Sequence, residues 1–209
     1  MNQKTIAYIF LIFWGFNSWA QSSDPLVPIQ SIIPDAVIDL RYATKNNFMK
    51  MAVYPKGAQA LLKKSVALKL AKAADVFHKR GYRIKIYDAY RPLSVQWELW
   101  KVKPDAHYVA DPRKGSNHNR GIAVDMTLID EKGIEISMPS EYDDLSPRGH
   151  HNSKFGTKTQ LEHSNYLKSV MEDAGFKATR TEWWHYHDPE KTNYPLLDDP
   201  PMAGQTSSQ

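Results

Sequence analysis

The chain contains no cysteine. That excludes disulfide cross-links, thiolate metal ligands and lipid attachment at a cysteine, so stability must come from core packing and from any bound ion. Excess charge of one sign is also scarce. Lys and Arg number 27 against 23 Asp and Glu, a formal net charge of +4, and the basic residues are scattered rather than gathered into a stripe. No nucleic-acid-binding motif accompanies the six tryptophans, so nucleic acid is not an expected partner. There are no internal repeats and no linker dividing the core. At 209 residues the chain suits one domain with a substantial core.

The longest apolar run comes at the very start. Lys4 gives a short basic head, residues 6–16 are apolar, and Ser18 and Ala20 offer small side chains where a signal peptidase reads. The pattern predicts an export signal over 1–20, with Gln21 as the new N-terminus. The run is too short to span a bilayer comfortably, so no stable membrane insertion is expected after cleavage. An uncleaved anchor is the alternative.

Beyond the signal, residues 21–35 read as a lead-in, 36–190 as the domain, and 191–209 as a proline-rich tail that is loose past Met202. Alternation predicts strands over 36–42, 82–90, 122–128 and 176–186. Near-helical spacing of Leu61, Leu62, Val66, Leu70, Ala73, Ala74 and Phe77 predicts a long amphipathic helix over 58–80, closed by Gly81. Pro92 starts a second helix over 93–101, and a third runs over 160–174 to Gly175. Residues 130–133 form a turn into 134–136. Residues 138–159 form a long irregular segment, of a length that usually carries function. Strands and helices do not alternate strictly. The expected class is α+β, a single domain whose central, mostly antiparallel sheet is flanked by helices.

Chemistry concentrates in residues 116–125. Arg120-Gly121 reads as a turn, followed by a half-buried strand in which Asp125 is costly unless paired or bound to a cation. His118 and Asp125 are therefore two candidate ligands, unless the loop imidazole and the strand carboxylate never meet. Candidates for a third lie in 181–187. Without cysteine, zinc must use His and Asp or Glu, and a catalytic site commonly has three protein ligands and one open position. His118, Asp125 and His185 would suffice, with Glu182 as general base. On a regular strand Glu182 and His185 face opposite sides, so a bend must separate them. His187 is the rival ligand, and a buried Trp183-Trp184 pair with polar flanks is the plainer reading. Arg91, just ahead of Pro92, suits stabilisation of a developing oxyanion, or else a structural ion pair with Asp88.

Ser116, His118, Gly121, Ala123 and Asp125, taken with Glu182, Trp184 and His185, resemble the pattern of the zinc D-Ala-D-Ala dipeptidases. That is the family of the vancomycin-resistance dipeptidases, related to the zinc D,D-carboxypeptidases and the hedgehog signalling domain. Segments 39–48, 88–92 and 138–144 look like that family's N-terminal signature, arginine segment and substrate loop. The resemblance covers roughly residues 37–186. It implies one Zn2+ per chain on His118, Asp125 and His185 rather than His187, Glu182 as base, and Arg91 as transition-state stabiliser. It further implies that Asp143 and Tyr42 receive the ammonium of a small dipeptide, with Ser116 and Asp88 also on the substrate side. Asn47 departs from the aspartate common there, with little expected effect on metal chemistry. His150 and His151 read as surface or loop residues.

The implied activity is hydrolysis of D-Ala-D-Ala, in cell-wall turnover or glycopeptide resistance. The implied location is the bacterial periplasm, near peptidoglycan. Two rivals stand beside it. One is a D,D- or L,D-carboxypeptidase acting on peptidoglycan stem peptides. The other is a non-catalytic zinc-stabilised cell-wall-binding domain, against which Glu182 and Arg91 argue, since binding alone needs neither.

Overall fold

The computed structural model describes residues 24–202; the expected signal segment lies outside them. Among the described residues, no helix is long and apolar enough to cross a membrane. Strands β1 (Leu26–Pro28), β2 (Val37–Ile38), β3 (Leu61–Lys63), β4 (Arg83–Asp88), β5 (Ala123–Ile129), β6 (Lys177–Ala178) and β7 (His185–His187) combine with helices α1 (Lys64–His78), α2 (Leu93–Val102) and α3 (Lys158–Asp173). The main sheet has the order β2-β4-β5-β7-β6, antiparallel except for the parallel β2–β4 pair. The α+β expectation holds.

β5 forms the middle of the sheet, and all seven of its residues are buried. Its Val124, Met126 and Leu128 join Ile84 and Ile86 of β4 and the inner face of α1 (Val66, Leu70, Ala73, Phe77) in one core. Each apolar side chain of that size contributes on the order of 2 kcal/mol when removed from water. α3 packs on α1, and its start is fixed by a capping box. Thr157 accepts from the Gln160 N–H, and the Gln160 side chain accepts from the Thr157 N–H.

Three boundaries differ from the sequence expectation. Residues 61–63 are strand rather than helix, because Leu61 and Leu62 pair antiparallel with Val27 and Pro28, a partner that helical periodicity cannot reveal. The strand expected over 36–42 is only Val37–Ile38, followed by a 3-10 turn at Arg41–Ala43. The strand expected over 176–186 is broken into β6 and β7 by a turn in which Thr179 O accepts from Glu182 N, and Glu182 O from His185 N. That turn supplies the bend that Glu182 and His185 require.

The segment after Asp188 packs back onto the domain through Met202. Leu197 accepts from Leu93 N–H (3.0 Å) and donates to Asn119 O (2.8 Å), while Gln59 N–H reaches Pro201 O (2.7 Å). Pro92 offers α2 no side-chain cap, and Asp198 Oδ1 instead accepts from Ser94 N–H at 2.6 Å.

Gly121 has φ +68°, and a Cβ there would lie 2.5 Å from Leu26 Cδ2. Gly133 has φ +81° with nothing within 4 Å. Both strain an L-residue by about 1–2 kcal/mol, but only Gly121 adds a steric conflict. Gly121→Ala should therefore lose more stability in urea titration than Gly133→Ala. Equal losses would contradict the close packing assigned to the 118–121 turn.

Candidate metal and catalytic site

The sheet aligns the site before any side chain is considered. Asp88 of β4 pairs with Asp125 of β5, which pairs with His185 of β7, so the three lie abreast on adjacent strands. A register shift between Ile86 and Asp88 re-aims the end of β4. His118 enters from the 3-10 turn His118–Arg120, and left-handed Gly121 reverses the chain into β5. The two candidate ligands that sequence left apart are thereby brought together.

His118 Nδ1 donates to Ala89 O at 2.6 Å, because a carbonyl only accepts. Its Nε2 is then a lone pair when the ring is neutral. That lone pair lies 3.2 Å from Asp125 Oδ1 and 3.0 Å from His185 Nδ1, and the latter two are 2.9 Å apart. Three electron-pair donors converge on one point, and only protons or a cation relieve that arrangement. They form the group among the described residues suited to a metal ion. Despite burial, which would raise it, the two imidazoles hold the Asp125 carboxyl well below its ordinary value. Burial lowers His185. Tyr142 O–H donates to the outer oxygen of Asp125 (3.0 Å), fixing which oxygen faces the imidazoles. His187 is not in the cluster; burial holds its ring down at about 4.

The cluster lines a cavity of about 260 Å³ that also takes in Arg91, Glu182, Asp143, Tyr42 and Ser116. Glu182 Oε2 is 3.8 Å from His185 Nδ1. Burial, then the nearby Asp125 and Asp143, push its carboxyl well above the ordinary value. Arg91 is 6% exposed. Its Nε and Nη2 both donate to Asp88 Oδ2 (3.0 and 2.6 Å), and Nη1 donates to Gln96 Oε1 (2.8 Å). Although burial opposes it, Asp88 keeps the guanidinium firmly charged.

Asp143 sits across the cavity in a left-handed conformation, φ +62°, tolerated by Asp more than by most residues. Its carboxylate accepts from Phe48 N–H (3.1 Å) and from Tyr42 O–H (3.2 Å). Burial pushes Asp143 up to about 7. Asn47 shapes the loop that presents Phe48. Its Nδ2 donates to the carbonyls of Arg41, Thr44 and Met51, which an aspartate could not do.

Asp88 does not occupy the substrate-side place expected of it. It is fully buried outside the cavity lining, with Oδ1 accepting from Tyr54 O–H at 2.5 Å and Oδ2 taken by Arg91. The ion-pair alternative is what the structure contains. His151 lies in a loop, as expected, but is buried rather than at the surface. It is 7% exposed, both ring nitrogens lack partners among the described residues, and burial lowers its ring to about 4. Tyr54 and Gln96 carried no signal in the sequence, and Tyr142 stood there only within the 138–144 segment, since their partners lie 34, 5 and 17 residues away in contacts that only the fold creates.

The family model and the sequence relatives point to one family. The D-ala-D-ala dipeptidase model of peptidase family M15 matches residues 22–203. A D-alanyl-D-alanine dipeptidase of Escherichia coli (strain K12) is 38% identical over 174 residues, spanning 83% of this chain and 90% of that protein. One from Enterococcus faecalis (strain ATCC 700802 / V583) is 30% identical over 182 residues, spanning 78% and 86%. Among solved structures, a vancomycin-resistance D,D-pentapeptidase in complex with Zn(II) aligns at 17% identity and TM-score 0.40, over 65% of this chain and 76% of that one. The family model takes in His118, Asp125, Asp143, Glu182 and His185 of the cavity wall, and on the strength of that near-complete match the chain belongs to the D-ala-D-ala dipeptidase family of metallopeptidases.

Proposed function

We propose that the protein hydrolyses the dipeptide D-Ala-D-Ala to two D-alanines, with zinc held by His118, Asp125 and His185. The observation that carries this reading is the convergence of three lone pairs on the wall of a cavity that also presents Glu182, Arg91 and Asp143. Two imidazoles and one carboxylate are a donor set that zinc accepts, and the cavity side leaves a position for water or substrate. Zinc bound there supplies Lewis acidity toward a carbonyl and lowers the pKa of a water.

The chain's own groups do the rest. Glu182 takes the proton of the attacking water as its oxygen bonds to the amide carbon, and returns that proton to the nitrogen as the C–N bond breaks. Arg91 offers N–H groups to the carbonyl oxygen as negative charge builds on it. The Asp143 carboxylate, backed by Tyr42, pairs with the free ammonium of the dipeptide, and Ser116 borders the same space. A peptide extended at its N-terminus has no ammonium to place there, which favours free dipeptides over stem peptides.

An exported protein would meet dipeptides released by wall turnover rather than the cytoplasmic precursor pool. The pattern of residues 1–20 supports export to the periplasm, close to peptidoglycan. Fractionation that finds the mature chain in the cytoplasm would refute it.

The reading is tested by incubating zinc-loaded protein with D-Ala-D-Ala, L-Ala-L-Ala and a stem pentapeptide and measuring free alanine. Release from D-Ala-D-Ala in large excess over the others is expected; release mainly from the pentapeptide would favour a carboxypeptidase. Glu182→Gln should lower kcat by about 10²–10⁴-fold while retaining one zinc per chain, and an active variant would remove Glu182 from the base role.

Asp143 yields a pH-dependent prediction. It is faced by Tyr42, Arg91, Asp125 and Glu182. Its folded pKa is raised, so its ionisation costs stability progressively from about pH 4 to about 7 and constantly above. Asp143→Asn should accordingly unfold no lower than wild type at pH 8, yet raise KM for D-Ala-D-Ala by about 10–100-fold, as expected when a charged hydrogen bond is lost. A lower Tm with unchanged KM would reverse that assignment.

A further inference from the structure

Gln96 lies on the buried face of α2 between Val95 and Leu99 and is fully buried. A helix interior position of this kind suits an apolar side chain, and burying an amide is favourable only when both halves are bonded. Both are. Oε1 accepts from Arg91 Nη1 (2.8 Å), and Nε2 donates to Ala110 O (2.8 Å). The orientation of the amide is fixed by chemistry, since a guanidinium only donates and a carbonyl only accepts.

The geometry at Arg91 shows what the first bond does. Nε and Nη2 converge on one oxygen, Asp88 Oδ2, which leaves the guanidinium plane free to pivot about that atom. The bond to Gln96 is a second anchor on another nitrogen and removes the pivot. Of the five N–H groups, three are engaged, and among the described residues one on each terminal nitrogen is left without a protein partner. The second bond of Gln96 holds the 106–110 segment, which lines the cavity. That segment is tied at its other end by Thr181 Oγ1–H donating to His107 O (3.3 Å), beside Glu182.

We propose that Gln96 is a positioning residue that fixes the plane of the Arg91 guanidinium and locks the 106–110 cavity wall to it. One amide thus sets two features of the site together: the direction of the two unengaged N–H groups and the distance of the wall that confines the substrate. The kinetic consequence rests on the dipeptidase reading above; the structural claim does not.

Zinc-loaded Gln96→Met removes both bonds at similar volume. It should lower kcat for D-Ala-D-Ala by about 10–100-fold, the scale of a misplaced catalytic group, with zinc content unchanged. In an Arg91→Ala background the same substitution should change kcat by less than about threefold, because a residue acting through Arg91 has nothing left to act on. A full loss in that background, or an unchanged kcat in the single variant, overturns the proposal. Gln96→Glu keeps an acceptor for Arg91 but removes the donor to Ala110 O. It should retain kcat within about fivefold while raising KM, and unchanged kcat and KM in this variant overturn the wall assignment even if the Met variant does not fold. The guanidinium is also read without activity, by nitrogen-15 NMR of the Arg91 side chain. Hindered rotation of the terminal nitrogens in wild type that becomes fast in Gln96→Met supports the second anchor, and identical spectra refute it. Wild type that releases no alanine refutes the dipeptidase reading and leaves the NMR comparison to judge Gln96.

Discussion

Three electron-pair donors cannot sit within about 3 Å of one another at a buried site unless something positive lies between them. His118, Asp125 and His185 do so, and much of the fold is arranged around holding them there. The backbone carbonyl of Ala89 takes the only proton a neutral His118 carries, Tyr142 restrains the far oxygen of Asp125, and the β5–β7 register delivers His185. Each support comes from a different element, so no single turn of chain could build the cluster alone.

The same economy governs the groups facing the cluster. Asp88, abreast of Asp125 in the sheet, is withheld from the cavity and spent on Arg91, with Tyr54 taking its other oxygen. A buried charge removed from its partner is strongly destabilising, so the Arg91–Asp88 pair serves to keep a fully charged guanidinium at the cavity wall. Asp143 is treated in the opposite way. It has hydrogen-bond donors but no cation in contact, and burial pushes its carboxyl up to about 7. One carboxylate is satisfied by a cation from within, and the other faces the cavity without one.

The glycine turn between His118 and Asp125, the apolar alternation of β5 and the Pro92 start of α2 were legible in the sequence because each is a local pattern with a local cause. So was the need for a bend between Glu182 and His185. What was not legible depends on partners far along the chain. Leu61 and Leu62 fit a helical period equally well until Val27 and Pro28 claim them as a strand. Asp88 reads like any acidic residue at a strand end until Tyr54 and Arg91 enclose it. His151 sits in a polar stretch and is nonetheless buried, and Gln96 looks like one more polar residue of an amphipathic helix.

The central claim is that a single cation replaces protons among His118, Asp125 and His185. X-ray absorption on protein loaded with one equivalent of Zn2+ addresses it directly. The account predicts two imidazole nitrogens at about 2.0–2.1 Å and a carboxylate oxygen at about 2.0–2.2 Å, with an imidazole contribution that falls to one in His118→Ala. A three-imidazole signal drawing in His187, or a spectrum unchanged by the loss of His118, would contradict it.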